Sequence, residues 1–279
     1  MKSYCYIDGQ IKKLSQAMLP VTDLSILRGF GVFDFLRIYN QKPFRLADHF
    51  DRLINSAKLM NLDVPVSLDD LDKIIKKLLV KNKLTEASIK IVLTGGESDN
   101  GISLKSQTSH FFILMDDLCD LPSSVFKKGA KLITYNHQRV IPGAKNSNYI
   151  PAVLMQTKKK KAGAVEILYT DNDLVLECAT SNFFLVKAGV LVTPKNNVLK
   201  GITRKIVLEI AKKNKIKIEE RDVLVSEIKT GDEIFITATN KFICPIVMID
   251  KNKIGDGKVG PISVKLLNLY KDYIAEVCK

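Results

Sequence analysis

Between Cys119 and Lys128 the apolar periodicity of both flanks stops, at Pro122-Ser123-Ser124, and this break limits most what the chain can fold into. A turn-forming, aperiodic stretch near the middle favours two cores over one. The chain has 279 residues, 46% of them hydrophobic, which is enough apolar surface for both. The expected organisation is a small N-terminal domain over 1–118, a linker over 119–128 and a larger C-terminal domain over 129–279.

In the first part, Tyr4 to Ile7 followed by Asp8-Gly9 predicts a hairpin, because that dipeptide accepts the positive backbone angles of a tight turn. Gly31 to Tyr39 alternates apolar and polar residues as a strand does, and Asn40-Gln41-Lys42-Pro43 turns it back toward Phe44. Helical spacing over 48–62 and 68–81 predicts two helices, the second capped by Ser67 with Asp70 three positions on. Strands are expected over 87–94 and 110–115, around the glycine-rich stretch from Gly95-Gly96 to Gly101. In the second part, strands are expected over 131–135, 164–169, 183–192 and 232–237, and helices over 148–161 and 202–214. Strands and helices interleave without the regular βαβ rhythm of a doubly wound sheet, and no G-x-G-x-x-G or Walker A sequence occurs. The class is α+β, and dinucleotide and ATP folds are disfavoured.

The net charge of +13 raises the question of nucleic acid. The excess is spread along the chain, however. Its densest run, Lys158 to Lys161, closes a predicted helix before Gly163, where cations suit the carbonyl end of the helix dipole. No nucleic-acid signature with interleaved aromatics is present, so no nucleic-acid partner is expected. The three histidines (His49, His110, His137) lack metal-ligand spacing, and the five cysteines are scattered without a C-x-x-C pair; no metal and no disulfide are expected. No stretch reaches membrane-span length and the N-terminus lacks a signal-peptide core, so the expectation is cytoplasmic, with no membrane partner.

Lys145, in the run from Ala144 to Tyr149, precedes a predicted helix, and Glu177 follows in the run from Leu176 to Phe184. A lysine amine suits covalent attachment of an aldehyde, and a carboxylate beside a ring nitrogen keeps that nitrogen protonated. Lys200-Gly201-Ile202-Thr203-Arg204 offers a glycine and the start of a helix, where backbone amides can meet a phosphate. His49-Phe50-Asp51-Arg52-Leu53 adds a cation, and Phe235 to Lys241 a turn with Thr239 and Asn240. Any one of these pieces is compatible with an ordinary solvated side chain or a capped helix. Together, in this order, they resemble the fold-type IV (class IV) pyridoxal-phosphate-dependent aminotransferases over nearly the whole chain.

That resemblance implies a two-domain fold, with a small N-terminal α/β sandwich and a larger C-terminal pseudo-barrel. It implies pyridoxal 5′-phosphate, a homodimer, and small amino-acid and keto-acid substrates exchanged in ping-pong order. Lys145 carries the Schiff base and acts as general base, Glu177 faces the ring nitrogen and Tyr149 the ring hydroxyl. Arg52, Ile202, Thr203, Thr239 and Asn240 hold the phosphate. Three activities share the scaffold: D-amino acid aminotransferase, branched-chain (L) aminotransferase and aminodeoxychorismate lyase. Tyr149 lies four residues after Lys145, whereas branched-chain members usually have five. Phe35 stands where those members typically have glycine and the lyase a threonine, and a phenyl ring cannot relay a proton. The D-amino acid branch is favoured, although its usual carboxylate-binding tyrosine is Phe33 here and its arginine is Gly95. Arg28, Lys90 and Lys241 are the candidate carboxylate partners, Arg28 first for its bidentate geometry, and Arg37 is a candidate structural cation. A basic binding protein with a decayed site is the non-enzymatic alternative, and it would lack the yellow colour of a loaded enzyme.

Overall fold

The computed structural model describes all 279 residues, in two compact units. The first comprises Met1–Cys119, Gly143–Asn148 and Val277–Lys279; the second, Asp120–Pro142 and Tyr149–Glu276.

The first unit contains β1 (Tyr4–Ile7), β2 (Gln10–Lys13), α1 (Leu24–Arg28), β3 (Gly31–Tyr39), β4 (Lys42–Pro43), α2 (Leu46–Leu59), α3 (Leu68–Asn82), β5 (Ala87–Thr94) and β6 (Phe111–Asp116). The strands form one antiparallel sheet in the order β2-β1-β6-β5-β3-β4. One face of β3 buries Val32, Asp34, Leu36 and Ile38, while Phe33, Phe35 and Tyr39 on the other are half-exposed. Helix α2 buries His49, Leu53, Ser56 and Ala57, one stripe at helical spacing, and packs on β3. Helix α3 buries Leu71, Ile75, Leu78 and Leu79 and starts at Ser67, whose hydroxyl accepts from the Asp70 amide.

The second unit contains α4 (Ser123–Lys128), β7 (Ala130–Asn136), α5 (Ile150–Leu154), α6 (Gln156–Lys161), β8 (Glu166–Asp171), β9 (Leu174–Cys178), β10 (Asn182–Lys187), β11 (Val190–Thr193), α7 (Ile202–Lys213), β12 (Ile218–Glu220), β13 (Val223–Leu224), β14 (Glu233–Ala238), β15 (Phe242–Ile249), β16 (Asn252–Lys253) and α8 (Pro261–Val277). Its sheet runs β12-β11-β10-β14-β15-β7-β8-β9-β13, with β16 on β15, and mixes parallel and antiparallel pairs. One face, from Leu132 and Leu168 through Phe183, Leu185, Ile234, Ile236 and Ile246, builds a continuous apolar core. Glu233 fixes the start of α8: its carboxylate accepts from the amides of Ile262 and Ser263 at 2.9 and 2.8 Å.

Local structure departs from expectation at three places. The segment 183–192 is a hairpin rather than one strand, because Ala188 and Gly189 both take positive φ, 48° and 75°. The segment 148–161 is two short helices. The first begins at Ile150 with Pro151 in its opening turn, and at the break the Gln156 side-chain amide takes the Ala152 carbonyl at 2.8 Å. The segment 119–128 carries α4 rather than open linker, its Gly129 amide bonding back to Val125.

Candidate active site

In the first unit, Lys145 is held by main-chain bonds. Its carbonyl accepts from the Phe33 amide at 2.9 Å, Asn146 bridges to Val32, and the Ser147 amide donates to Gly31 at 2.9 Å. From the other side, Ser56 Oγ accepts from the Lys145 amide at 3.0 Å and donates to the Arg52 carbonyl at 2.8 Å. The segment therefore lies along the N-terminal edge of β3 and is tied to α2. The Lys145 ammonium sits 4.6 Å from the centre of the Phe33 ring, and Lys90 Nζ lies 5.9 Å from the same ring. Phe35 pairs with Lys90 across β3 and β5.

Beside it, Asp34 is fully buried and gathers two side-chain partners, as well as the Phe35 amide at 2.7 Å. Arg52 donates through Nε to Oδ2 and through Nη2 to Oδ1, both at 2.8 Å, and His49 Nδ1 lies 2.7 Å from Oδ1. Burial pushes the Asp34 carboxyl up, but Arg52 and His49 outweigh it and hold the group well below the usual carboxylate range. Burial pulls the His49 imidazole down further than Asp34 raises it. Arg52 is thus aimed by a bidentate pair. Arg28, at the end of α1, is exposed, with Nη1 on the Leu27 carbonyl at 2.8 Å. Arg37 is buried and donates to the Cys119 carbonyl at 3.1 Å.

In the second unit, Glu177 is buried at the end of β9. Its Oε1 accepts from Arg139 Nε at 3.0 Å, and its Oε2 accepts from Asn182 Nδ2 at 3.3 Å and from the Leu199 amide at 3.1 Å. The Arg139 guanidinium also lies 4.9 Å from the Tyr149 ring centre and 5.6 Å from that of Tyr169. Burial raises the Tyr149 phenol, with Arg139 opposing. Arg139 went unread in the sequence: a lone arginine in a loop carries no signal except that a buried glutamate needs a counter-ion.

Helix α7 begins beside this cluster. A Cβ on Gly201 would overlap Asn182 Oδ1, so only glycine lets the helix start so close to β10. Ile202 and Thr203 are buried in the first turn, whose amides have no partner within the helix. Arg204 turns away, donating to Glu220 at 2.7 Å and to the Pro194 carbonyl at 3.1 Å. Thr239 and Asn240 occupy the turn between β14 and β15, which the Lys241 amide closes on the Ala238 carbonyl at 3.1 Å.

A family model described as amino-transferase class IV matches residues 31–249. The chain belongs to the class IV aminotransferases. A putative branched-chain-amino-acid aminotransferase of Methanocaldococcus jannaschii is 33% identical, over 96% of this chain and 95% of that protein. A D-alanine aminotransferase of Listeria monocytogenes is 29% identical, over 98% and 96%. Among solved structures, the Escherichia coli branched-chain amino acid aminotransferase superposes with a TM-score of 0.90 at 25% identity, over 98% and 94% of the two chains. The branched-chain amino acid aminotransferase of T.th., solved with pyridoxamine 5′-phosphate, gives 0.89 at 27%, over 99% and 95%. The α+β architecture of this aminotransferase, with one smaller sheet and one curled larger one, is that of these structures.

Class IV aminotransferases use pyridoxal phosphate, and the donor set of the second unit fits it. There is a buried carboxylate for a ring nitrogen, a helix N-terminus cleared by glycine for a phosphate, and a buried hydroxyl, Thr237 Oγ1, that no protein group bonds.

One expected substrate cation has other employment. Lys241 is buried, its ammonium 3.1 Å from Glu166 Oε2 and 2.7 Å from Thr180 Oγ1, and Thr180 also donates to Glu166. Burial raises the Glu166 carboxyl, but Lys241 and its hydrogen bonds outweigh this and lower it. A carboxyl depressed on folding stabilises the fold above its unfolded pKa, and that contribution disappears as pH falls through the folded value. Replacing Lys241 by methionine therefore leaves a buried charge uncompensated and is expected to cost about 3–5 kcal/mol at neutral pH. Urea unfolding checks this, and the double variant K241M/E166Q should recover most of the loss.

Proposed function

We propose that this aminotransferase is pyridoxal 5′-phosphate-dependent and moves an amino group between a D-amino acid and a 2-keto acid, in ping-pong order. The observation that carries the choice of substrate hand is the face of β3 nearest the Lys145 ammonium, which presents Phe33 and Phe35. A phenyl ring at 35 fills space that a branched side chain would need, and it has no hydroxyl to serve a lyase. The D-alanine aminotransferase relatives agree with this reading, while the branched-chain relative and structures keep the L-amino acid alternative in play.

The bound cofactor supplies a ring that withdraws electrons from the substrate's α-carbon. Lys145 Nζ would anchor it and, once the substrate's amine has displaced that nitrogen, would be free as an amine to take the α-proton and return it one carbon away. Glu177, fixed by Arg139, Asn182 and the Leu199 amide, would hold the proton on the ring nitrogen. Tyr149 would serve the ring hydroxyl, and the phosphate would be held by the amides of Ile202 and Thr203 and the turn of Thr239 and Asn240, with Arg52 as its cation.

The working form is proposed to be a cytoplasmic homodimer. Met18, Val21 and Ile26 in the first unit are exposed, as are Ile150, Val153 and Leu154 in the second, and such apolar groups suit a partner surface. Exposed Arg28, beside Ile26 and Leu27, then binds the substrate carboxylate of the neighbouring protomer.

Half-reactions with D- and L-alanine, glutamate and leucine, followed by the bound cofactor's absorbance, test the reading. Faster turnover of a D-amino acid supports it; L-leucine outrunning every D-amino acid would overturn the choice of hand. Glu177→Gln is expected to keep the cofactor but slow the half-reaction, because a neutral amide cannot balance a protonated ring nitrogen. Equal half-reaction rates in variant and parent would remove Glu177 from this role.

A further inference from the structure

Thr237 is 2% exposed, and its hydroxyl has no hydrogen-bond partner in the protein. A buried hydroxyl without a partner costs the fold about 1–3 kcal/mol, and valine would fill the same strand position without that cost. The hydroxyl's surroundings suggest what it serves. Thr237 lies directly opposite Asn182 in the antiparallel pair of β10 and β14, so the two side chains share one face of the sheet. The N-terminus of α7 rests on that same face, because Gly201 abuts Asn182 Oδ1. Asn182 commits its side-chain N–H groups to Glu177 and the Leu199 carbonyl, at 3.3 and 2.7 Å, and has none left for a ligand. Helix α7 is twelve residues long, enough for its first-turn amides and dipole to favour an anion.

We propose that Thr237 is a further ligand of the anion site at the α7 N-terminus, its hydroxyl donating to a phosphate oxygen of the bound cofactor. This rests on the reading that a phosphate-bearing cofactor binds there, and it adds a residue to the turn of Thr239 and Asn240. The hydroxyl destabilises the empty protein and is satisfied by the ligand. Stability and affinity should therefore move in opposite directions when it is removed, which a purely structural threonine would not produce.

The test uses the full chain stripped of cofactor and titrated with pyridoxamine 5′-phosphate, together with Thr237→Val and Thr237→Ser. For Thr237→Val, the Kd should rise roughly tenfold to a hundredfold, the range of a hydrogen bond to a charged acceptor. Its cofactor-free Tm should equal the parent's or exceed it by about 2–4 °C. Thr237→Ser, which keeps the hydroxyl, should bind within a few-fold of the parent. Parent-like affinity in Thr237→Val would overturn the inference alone, as would a lowered cofactor-free Tm that accompanies weaker binding. Failure of the unmodified protein to bind pyridoxamine 5′-phosphate would overturn the underlying reading and this inference with it.

Discussion

Replacing Lys145 by alanine is expected to abolish at least about 10²-fold of transamination, the lower range for loss of a general base, and to end covalent retention of the cofactor. The fold should survive it. Main-chain bonds tie the segment down: the Phe33 amide on the Lys145 carbonyl, the Lys145 amide on Ser56 Oγ, and the Asn146 bridge to Val32. The side chain is only half-buried, lying over Phe33, and its truncation leaves those bonds intact. Steady-state rates and thermal unfolding, measured on the same preparation, check both halves. A variant that loses activity and stability together would make Lys145 a structural residue.

Asp34→Asn should be the most destabilising single change in the first unit. The amide can no longer accept both Arg52 hydrogen bonds and the His49 bond as a charged group, and it leaves a nearly buried guanidinium without its counter-ion. Breaking such a pair typically costs about 3–5 kcal/mol. Because the Asp34 carboxyl is depressed on folding, this contribution is fully present above its unfolded pKa and disappears only as pH falls through the lower folded value. The parent's acid unfolding limb should therefore be steeper than the variant's. Arg52 also loses its aim, so cofactor should escape on dialysis. Urea unfolding at neutral and acid pH, with cofactor content after dialysis, measures all three; an unchanged midpoint would mean the pair is worth little.

Local chemistry made much of the fold legible. Ser67 and Asp70 marked the start of α3, Asp8-Gly9 marked the first hairpin, and strict alternation marked β3, because in each the deciding interactions lie within a few residues. The turn at Ala188-Gly189 was hidden, since alanine rarely accepts a positive φ and gave no turn signal. Pairing over long sequence distance was also hidden. Lys241 stood among three candidate substrate cations with no sign of Glu166, which is far from it along the chain, and Arg139 drew no notice because Glu177 reaches it only through the fold. The stretch Gly143–Asn148 lies within the sequence of the second unit yet packs with the first, since its bonds go to β3 and α2. Lys145 and Glu177 stood out in the sequence by residue type and flanking motif, and the structure adds the partners that fix each of them.

The proposed function depends on one lysine, Lys145, to anchor the cofactor. Reducing the yellow holoenzyme with borohydride fixes the cofactor to its lysine irreversibly, and peptide mass spectrometry then locates the adduct. The adduct is predicted on the peptide that contains Lys145, and to be absent from the Lys145→Ala variant. An adduct on Lys241 or any other lysine of the unmodified protein would move the anchor away from Lys145 and remove its proposed role.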